Sequence, residues 1–226
     1  MSVGAGVAEG PDSFLDKWRA RWPEWALAEV FVPAPQREAV VAWLALRQEL
    51  LDAAWGGSDP RPGEAKLGWW QEELEAWQRG MRRHPLGKLL QPRDAPWAML
   101  AAALPLLAAT REQPAPARLR PFAEALAAVG AALEPGSVAV PWDTLADGLR
   151  AQRLLGGADD AVHRQEAAAL AAGWHTGGLD ARGRPLAGRL FDAILHARLA
   201  RHARGAHGPP ARMRTLFAAW RAARKT

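Results

Sequence analysis

Leu67, Trp70, Leu74, Trp77 and Met81 recur three and four residues apart, and only an α-helix gathers that spacing onto one face. The pattern predicts a helix over 64–81, with Glu72, Glu75 and Arg79 elsewhere and Glu75 and Arg79 four apart as a supporting pair. The same spacing links Val40, Trp43, Leu44, Arg47, Leu50, Leu51 and Ala54. It predicts another helix over 35–55, with proline in its first turn and Gly56-Gly57 at its end. Ala, Leu, Arg, Glu and Gln dominate the chain and β-branched residues are few, which suits helices and not a sheet. The expected fold class is all-α, a single helical bundle.

A first helix is expected from a cap at Asp12 or Ser13 to Trp22, where Pro23 interrupts it. Shorter helical runs are expected over 85–91, 95–110, 117–133, 142–155 and 160–172, punctuated by Pro114, Pro116, Pro135-Gly136 and Gly156-Gly157. A glycine-rich loop over 173–185 precedes two last helices, 186–204 and 210–224. With 226 residues the chain is long enough to bury about two-thirds of its unfolded surface without staples. No fixed-period repeat or composition shift divides it, so one domain is expected over 12–226, after a flexible N-terminus over 1–11.

The chain has no cysteine, which removes disulfides and thiolate metal sites and makes the cytoplasm the default compartment. Residues 1–11 lack the basic and apolar regions of a signal peptide. The longest apolar stretch, 95–109, is broken by Pro96 and Pro105 and falls short of the roughly 20 residues that span a bilayer, so the chain is not expected to be transmembrane. No phosphate-binding loop of the Walker or Rossmann type is present, and Ser2, Ser13, Ser58 and Ser137 lie in no nucleophile elbow. His163 with Glu166, and His196 and His202, show no metal-ligand spacing and are expected at the surface.

Two stretches carry a family resemblance. Phe31-Val32-Pro33, then Gln36-Arg37-Glu38-Ala39-Val40 and Ala42-Trp43-Leu44-Ala45-Leu46-Arg47, then Trp69-Trp70-Gln71-Glu72-Glu73-Leu74 closing on His84-Pro85, resemble the opening helices of squalene and phytoene synthases. Leu190-Phe191-Asp192-Ala193-Ile194-Leu195 and Arg212-Met213-Arg214 leading into Leu216 resemble the closing helices of that family. The resemblance implies an all-α bundle around an apolar cavity, with two aspartate-rich motifs holding Mg²⁺ against a prenyl diphosphate, since Mg²⁺ takes hard oxygen ligands. At the first motif this chain has Leu50, Leu51 and Ala54, which cannot ligate a metal; Glu49 and Asp52 lie beside it, off the apolar stripe, and are expected to face solvent. For the second motif the resemblance points to 145–155, with Asp147, Arg150, Gln152 and Arg153, or to Asp159-Asp160, of which Asp160 also reads as a helix cap. Glu49, Asp52, Asp159 and Asp160 are therefore the catalytic candidates. Trp43, Arg47, Leu50, Leu51, Ala54, Arg150 and Arg153 are the ligand-binding candidates. No metal or cofactor is expected unless the chain is an active prenyl-diphosphate transferase with a rearranged Mg²⁺ site.

Arg47 interrupts an apolar stripe, and an arginine buried without a partner is expensive. It is expected either to pair with a core acid such as Glu73 or to mark an anion site. Trp69, beside the stripe of Trp70, is expected at a rim. The net charge is +5, and from Ala193 to Thr226 there is no acid while arginines accumulate. Arg198, Arg201, Arg212 and Arg214 are expected to form a face for anionic membrane or a partner protein, peripheral to the inner side of the membrane. No nucleic-acid partner is expected, because stacking aromatics do not accompany the arginines. The leading functional expectation is a non-catalytic squalene/phytoene synthase-like protein that binds an isoprenoid-like lipid or a partner protein. An active transferase and a basic scaffold at the membrane surface are the alternatives.

Overall fold

The computed structural model describes residues 10–112, 114–174, 183–206 and 210–224. Most of the expected N-terminal segment, and the middle of the loop expected over 173–185, lie outside the described residues. Among the described residues the chain forms eleven α-helices and no strand. They are α1 (Pro11–Arg21), α2 (Trp25–Ala28), α3 (Arg37–Trp55), α4 (Arg61–Gln78), α5 (Gly87–Leu90), α6 (Trp97–Ala108), α7 (Pro116–Leu133), α8 (Trp142–Gly156), α9 (Ala161–Ala172), α10 (Leu186–His202) and α11 (Arg212–Ala223). Short 3₁₀ turns at Glu29–Phe31 and Ala34–Gln36 bridge α2 to α3.

Local chemistry sets the ends. Pro11, whose fixed φ suits a first helical position, starts α1 after Gly10, so Asp12 and Ser13 lie inside the helix and cap nothing. Asp160 does cap α9, its side chain accepting from His163 N at 2.9 Å. Helix α4 begins and ends earlier than the apolar period suggests, because Gly80 turns left-handed (φ 82°) just after it and leaves Met81 outside the helix and exposed.

Helix α3 is the centre of the molecule, with α1, α4, α5 and α6 packed on it. Every residue from Val41 to Leu51 is buried, so the stripe inferred from spacing is too narrow: α3 is covered all round. Leu50, Leu51, Leu74 and Trp77 share the main core, as the matched periods of α3 and α4 require. Gly63 lets α4 approach closely, since a Cβ there would collide with the carbonyl oxygen of Ala53. Edge-on tryptophans run through the core from Trp43 to Trp97 (6.4 Å), Trp97 to Trp77 (5.1 Å) and Trp77 to Trp70 (6.3 Å), joining α3, α6 and α4. Such pairs add about 0.5–1.5 kcal/mol each beyond their buried area. Trp18 and Trp22 meet Phe191 at 5.7 and 4.9 Å and so tie α1 to α10. Helices α7, α8 and α10 continue the bundle, and α9 and α11 pack outside α10.

Candidate functional site

The buried charges of α3 divide into two groups. Glu49 is buried rather than solvent-facing, and each carboxylate oxygen is held at 2.6 Å by a lysine, Lys17 of α1 and Lys66 of α4. A covered helix has no solvent side, which is why the expectation for Glu49 fails and why it is paired. The two lysines hold its carboxyl below the usual range against the upward push of burial. Asp52, one turn on, is only partly exposed; it pairs with Arg21 at 3.3 Å and accepts from Gln48 at 2.8 Å. Leu50, Leu51 and Ala54, at the positions where the resemblance expects acids, are core residues. The residues present therefore do not fit a Mg²⁺ cluster: the apolar three offer no oxygen, and the neighbouring carboxylates are bound to cations. Among the described residues no three His, Asp or Glu side chains converge as a metal site would require.

The second group is Arg47. Only 7% exposed, it does not meet Glu73. Glu73 is taken by Trp77 Nε1 (2.8 Å), the backbone N–H groups of Arg83 (2.7 Å) and His84 (2.8 Å), and Arg83 Nε (3.0 Å). That carboxylate fixes the chain where it leaves α4, which is the job its buried position requires. Arg47 Nε has no hydrogen-bond partner, and no carboxylate lies within salt-bridge distance of its guanidinium among the described residues. The opposite charge that acts on it is Asp192, which pairs instead with Arg184 at 2.7 Å. Burial pushes the Arg47 guanidinium down, partly offset by Asp192, and the Asp192 carboxyl up, partly offset by Arg184 and then by Arg47. The guanidinium also lies 5.9 Å from the centre of the Phe191 ring.

Arg47 opens into a pocket of about 50 Å³. Trp43, Leu44, Leu126, Val140 and Leu145 give it apolar walls, Arg93 adds a second cation, and the start of α10 at Pro185, Ala187 and Gly188 closes one side. Glu134 also lines it but is engaged by α10, accepting from Leu186 N at 2.6 Å. With the start of α10 already satisfied by Glu134, what the pocket offers an anion is a buried guanidinium that pairs with no carboxylate among the described residues, a second cation at Arg93 and an apolar wall, complementary to the charged end of a small ligand. The space is on the order of a few water molecules, enough for a headgroup and too little for a folded prenyl chain.

No family model, curated protein or solved structure matches the chain. The squalene/phytoene synthase resemblance thus rests on the residues quoted for it above.

Of the ligand-binding candidates, Trp43 and Arg47 share the pocket, whereas Leu50, Leu51 and Ala54 fill the core. Arg150 pairs with Asp147 at 3.4 Å along α8. Arg153 donates to the carbonyls of Trp55 (3.1 Å) and Arg111 (2.7 Å). Arg111 in turn donates to the carbonyls of Ala54 (3.1 Å), Gly56 (2.9 Å) and Gly57, so two arginines cap the negative end of α3. Asp159 and Asp160 engage Arg164 (3.3 Å) and His163 (2.9 Å) where α9 begins.

The basic face also changes. Arg198 is not part of an outward face: it pairs with buried Glu24 at 2.6 Å, donates to Arg21 O at 2.8 Å and lies 4.1 Å over the Trp22 ring. Arg201 is half-buried, while Arg212 and Arg214 are exposed on α11. Nor are all the histidines at the surface. His196 stacks on Trp174 at 5.7 Å, and His202 buries its Nε2. His84, whose environment spacing could not reveal, sits 4.5 Å from the Phe14 ring and 4.4 Å from that of Trp70, with Nδ1 accepting from Leu86 N at 3.1 Å. Trp69 is 37% exposed beside Arg83, the rim position expected of it.

Proposed function

We propose that this chain is a non-catalytic, squalene/phytoene synthase-like binding protein whose Arg47 pocket seats the anionic end of a ligand, a small phosphate or the head of an isoprenoid-like lipid. The observation that carries the reading is Arg47 itself, buried, without a carboxylate partner, in the wall of an otherwise largely apolar pocket. A bound anion would supply the counter-charge that the fold does not, and the free energy otherwise lost to burying the guanidinium becomes binding energy. The planar fork of arginine suits phosphate or carboxylate oxygens taken two at a time. The core placement of Leu50, Leu51 and Ala54 supports the non-catalytic half of the reading.

The test is a titration of the full chain, by calorimetry and thermal unfolding, with inorganic phosphate, pyrophosphate and farnesyl monophosphate. A ligand selective for the folded state at one hundred times its Kd stabilises by about 2.7 kcal/mol. Binding of all three, lost in Arg47→Met, is the result expected of an anion site, and tighter binding of farnesyl monophosphate identifies the lipid head. Absence of binding by any of the three, or binding that Arg47→Met leaves intact, overturns the pocket. Farnesyl diphosphate incubated with Mg²⁺ should give no condensed product; chelator-sensitive product would overturn the non-catalytic reading.

A further inference from the structure

Helix α11 buries a narrow face of small residues, Thr215 and Ala219 with Ala222 and Ala223 beside them, against α10, α2 and the turn at Glu29–Phe31. Its outer face is apolar. Met213 is 73%, Leu216 36%, Phe217 60% and Trp220 39% exposed, and positions three, four and seven apart form one stripe along the helix. Phe217 and Trp220 touch at 5.4 Å and Arg224 lies 4.7 Å from the Trp220 ring, so the aromatics stand together at the surface instead of turning into the core. Arginines border the stripe on both sides. Arg214 and Arg221, two turns apart, share one flank; Arg212 lies on the other.

Among the described residues no acid is placed to oppose the charge on this face. Helix α11 has no acid, and the acids of the elements beneath it are already engaged: Glu24 by Arg198 at 2.6 Å, Glu29 by Arg19 at 3.1 Å and Asp192 by Arg184 at 2.7 Å. A short helix with an apolar ridge of Met, Leu, Phe and Trp, edged by arginines and lacking acid, has the pattern of a helix that lies in a lipid headgroup layer. There the ridge enters the acyl boundary, tryptophan takes the interface and the arginines meet lipid phosphates. No helix among the described residues is long and apolar enough to cross a membrane, so the contact would be parallel to the surface.

We infer that α11 is a docking surface for an anionic membrane, with Met213, Leu216, Phe217 and Trp220 inserting and Arg212, Arg214 and Arg221 contacting the headgroups. The contact is weak and reversible, because one short amphipathic helix buries little area, and it falls with salt.

The experiment is co-sedimentation of the full chain with vesicles of pure phosphatidylcholine and of equimolar phosphatidylcholine and phosphatidylglycerol. The parent should sediment with the anionic vesicles only, and less as salt rises. Phe217→Glu should lose the binding. The double variant Arg214→Gln, Arg221→Gln should weaken it by at least about tenfold, both arginines being near the surface charge. All the altered residues are exposed, so thermal midpoints should match the parent's, and the conservative double variant tests the idea even if Phe217→Glu unfolds. Sedimentation unaffected by both variants, or a parent that stays in solution, sinks the proposal. So does a dimer by light scattering that Phe217→Glu dissolves, since the stripe would then be covered by a second copy.

Discussion

Glu49 and Arg47 sit two residues apart on the same covered helix, and the fold treats them in opposite ways. Glu49 is met by Lys17 and Lys66 reaching from the helices on either side, whereas Arg47 is left with Asp192, which forms no ion pair with it and already has a partner. A buried charge that is fully neutralised holds elements together. One that is not is either a defect or a place kept for something else. The same division separates Arg198, locked to Glu24 beneath α10, from the arginines of α11, which no carboxylate of the packed elements meets.

The largest effect that this contrast predicts is at Glu49. Replacing it by alanine removes both ion pairs and leaves a small void between α1, α3 and α4. Lys17 and Lys66 are partly exposed and can return to water, so the loss should be about 2 kcal/mol rather than the 3–5 expected when a buried partner is stranded. Urea unfolding at neutral pH measures it. A loss near zero would show that the Glu49 cluster is surface decoration, and the distinction from Arg47 would collapse.

The next effect is a pH dependence centred on His84. Burial among Phe14, Trp69 and Trp70 pushes its imidazole down to about 4 from 6.5, against the opposing pull of Glu49 and Glu73. Between these values the unfolded chain binds a proton that the folded chain refuses, so stability rises with pH through that window and is lost as pH falls below the unfolded value. Because the ring is partly exposed, screening reduces the effect to about 2 kcal/mol across the window. Glu49 and Glu73, whose carboxyls are held below their ordinary range, give stability above the unfolded carboxylate value that is lost at lower pH. Unfolding free energies at several pH values should therefore begin to fall just below neutrality, and His84→Gln should flatten that first limb while keeping the second. An unchanged first limb would assign it elsewhere.

Much of the fold was legible because tryptophan, leucine and alanine recur at helical spacing between prolines and glycines. The covering of α3 was not, because periodicity along one helix does not report how many neighbours surround it. That one omission explains the error at Glu49: its position off the stripe suggests solvent, but α1 and α4 close over that side. The pocket was half legible. Arg47 within an apolar run signals an unusual site, yet Arg93, Glu134 and the start of α10 come from distant segments, and no spacing rule joins them. The capping arginines, Arg111 and Arg153, were invisible for the same reason: their partners are backbone carbonyls, which carry no sequence signature.

The smallest expected effect is the most discriminating. Arg47→Met keeps a long side chain that can follow the same path through Trp43, Leu44 and Phe191 while removing the guanidinium. If Arg47 were a structural charge paired with a buried carboxylate, its loss would strand that partner and cost several kcal/mol. Here Asp192 keeps Arg184 at 2.7 Å, so no carboxylate is stranded. What is lost is a modest long-range attraction to Asp192 and a cation–π contact; what is gained is relief from burying a charge, and such exchanges are often neutral or stabilising. Stability should therefore change by less than about 1 kcal/mol in either direction by urea unfolding in phosphate-free buffer. The parent should gain stability when phosphate is added and the variant should not, because only the parent has a buried cation for the anion to neutralise. A loss of about 2 kcal/mol or more in phosphate-free buffer would place Arg47 with Glu49, among the charges that hold the bundle together.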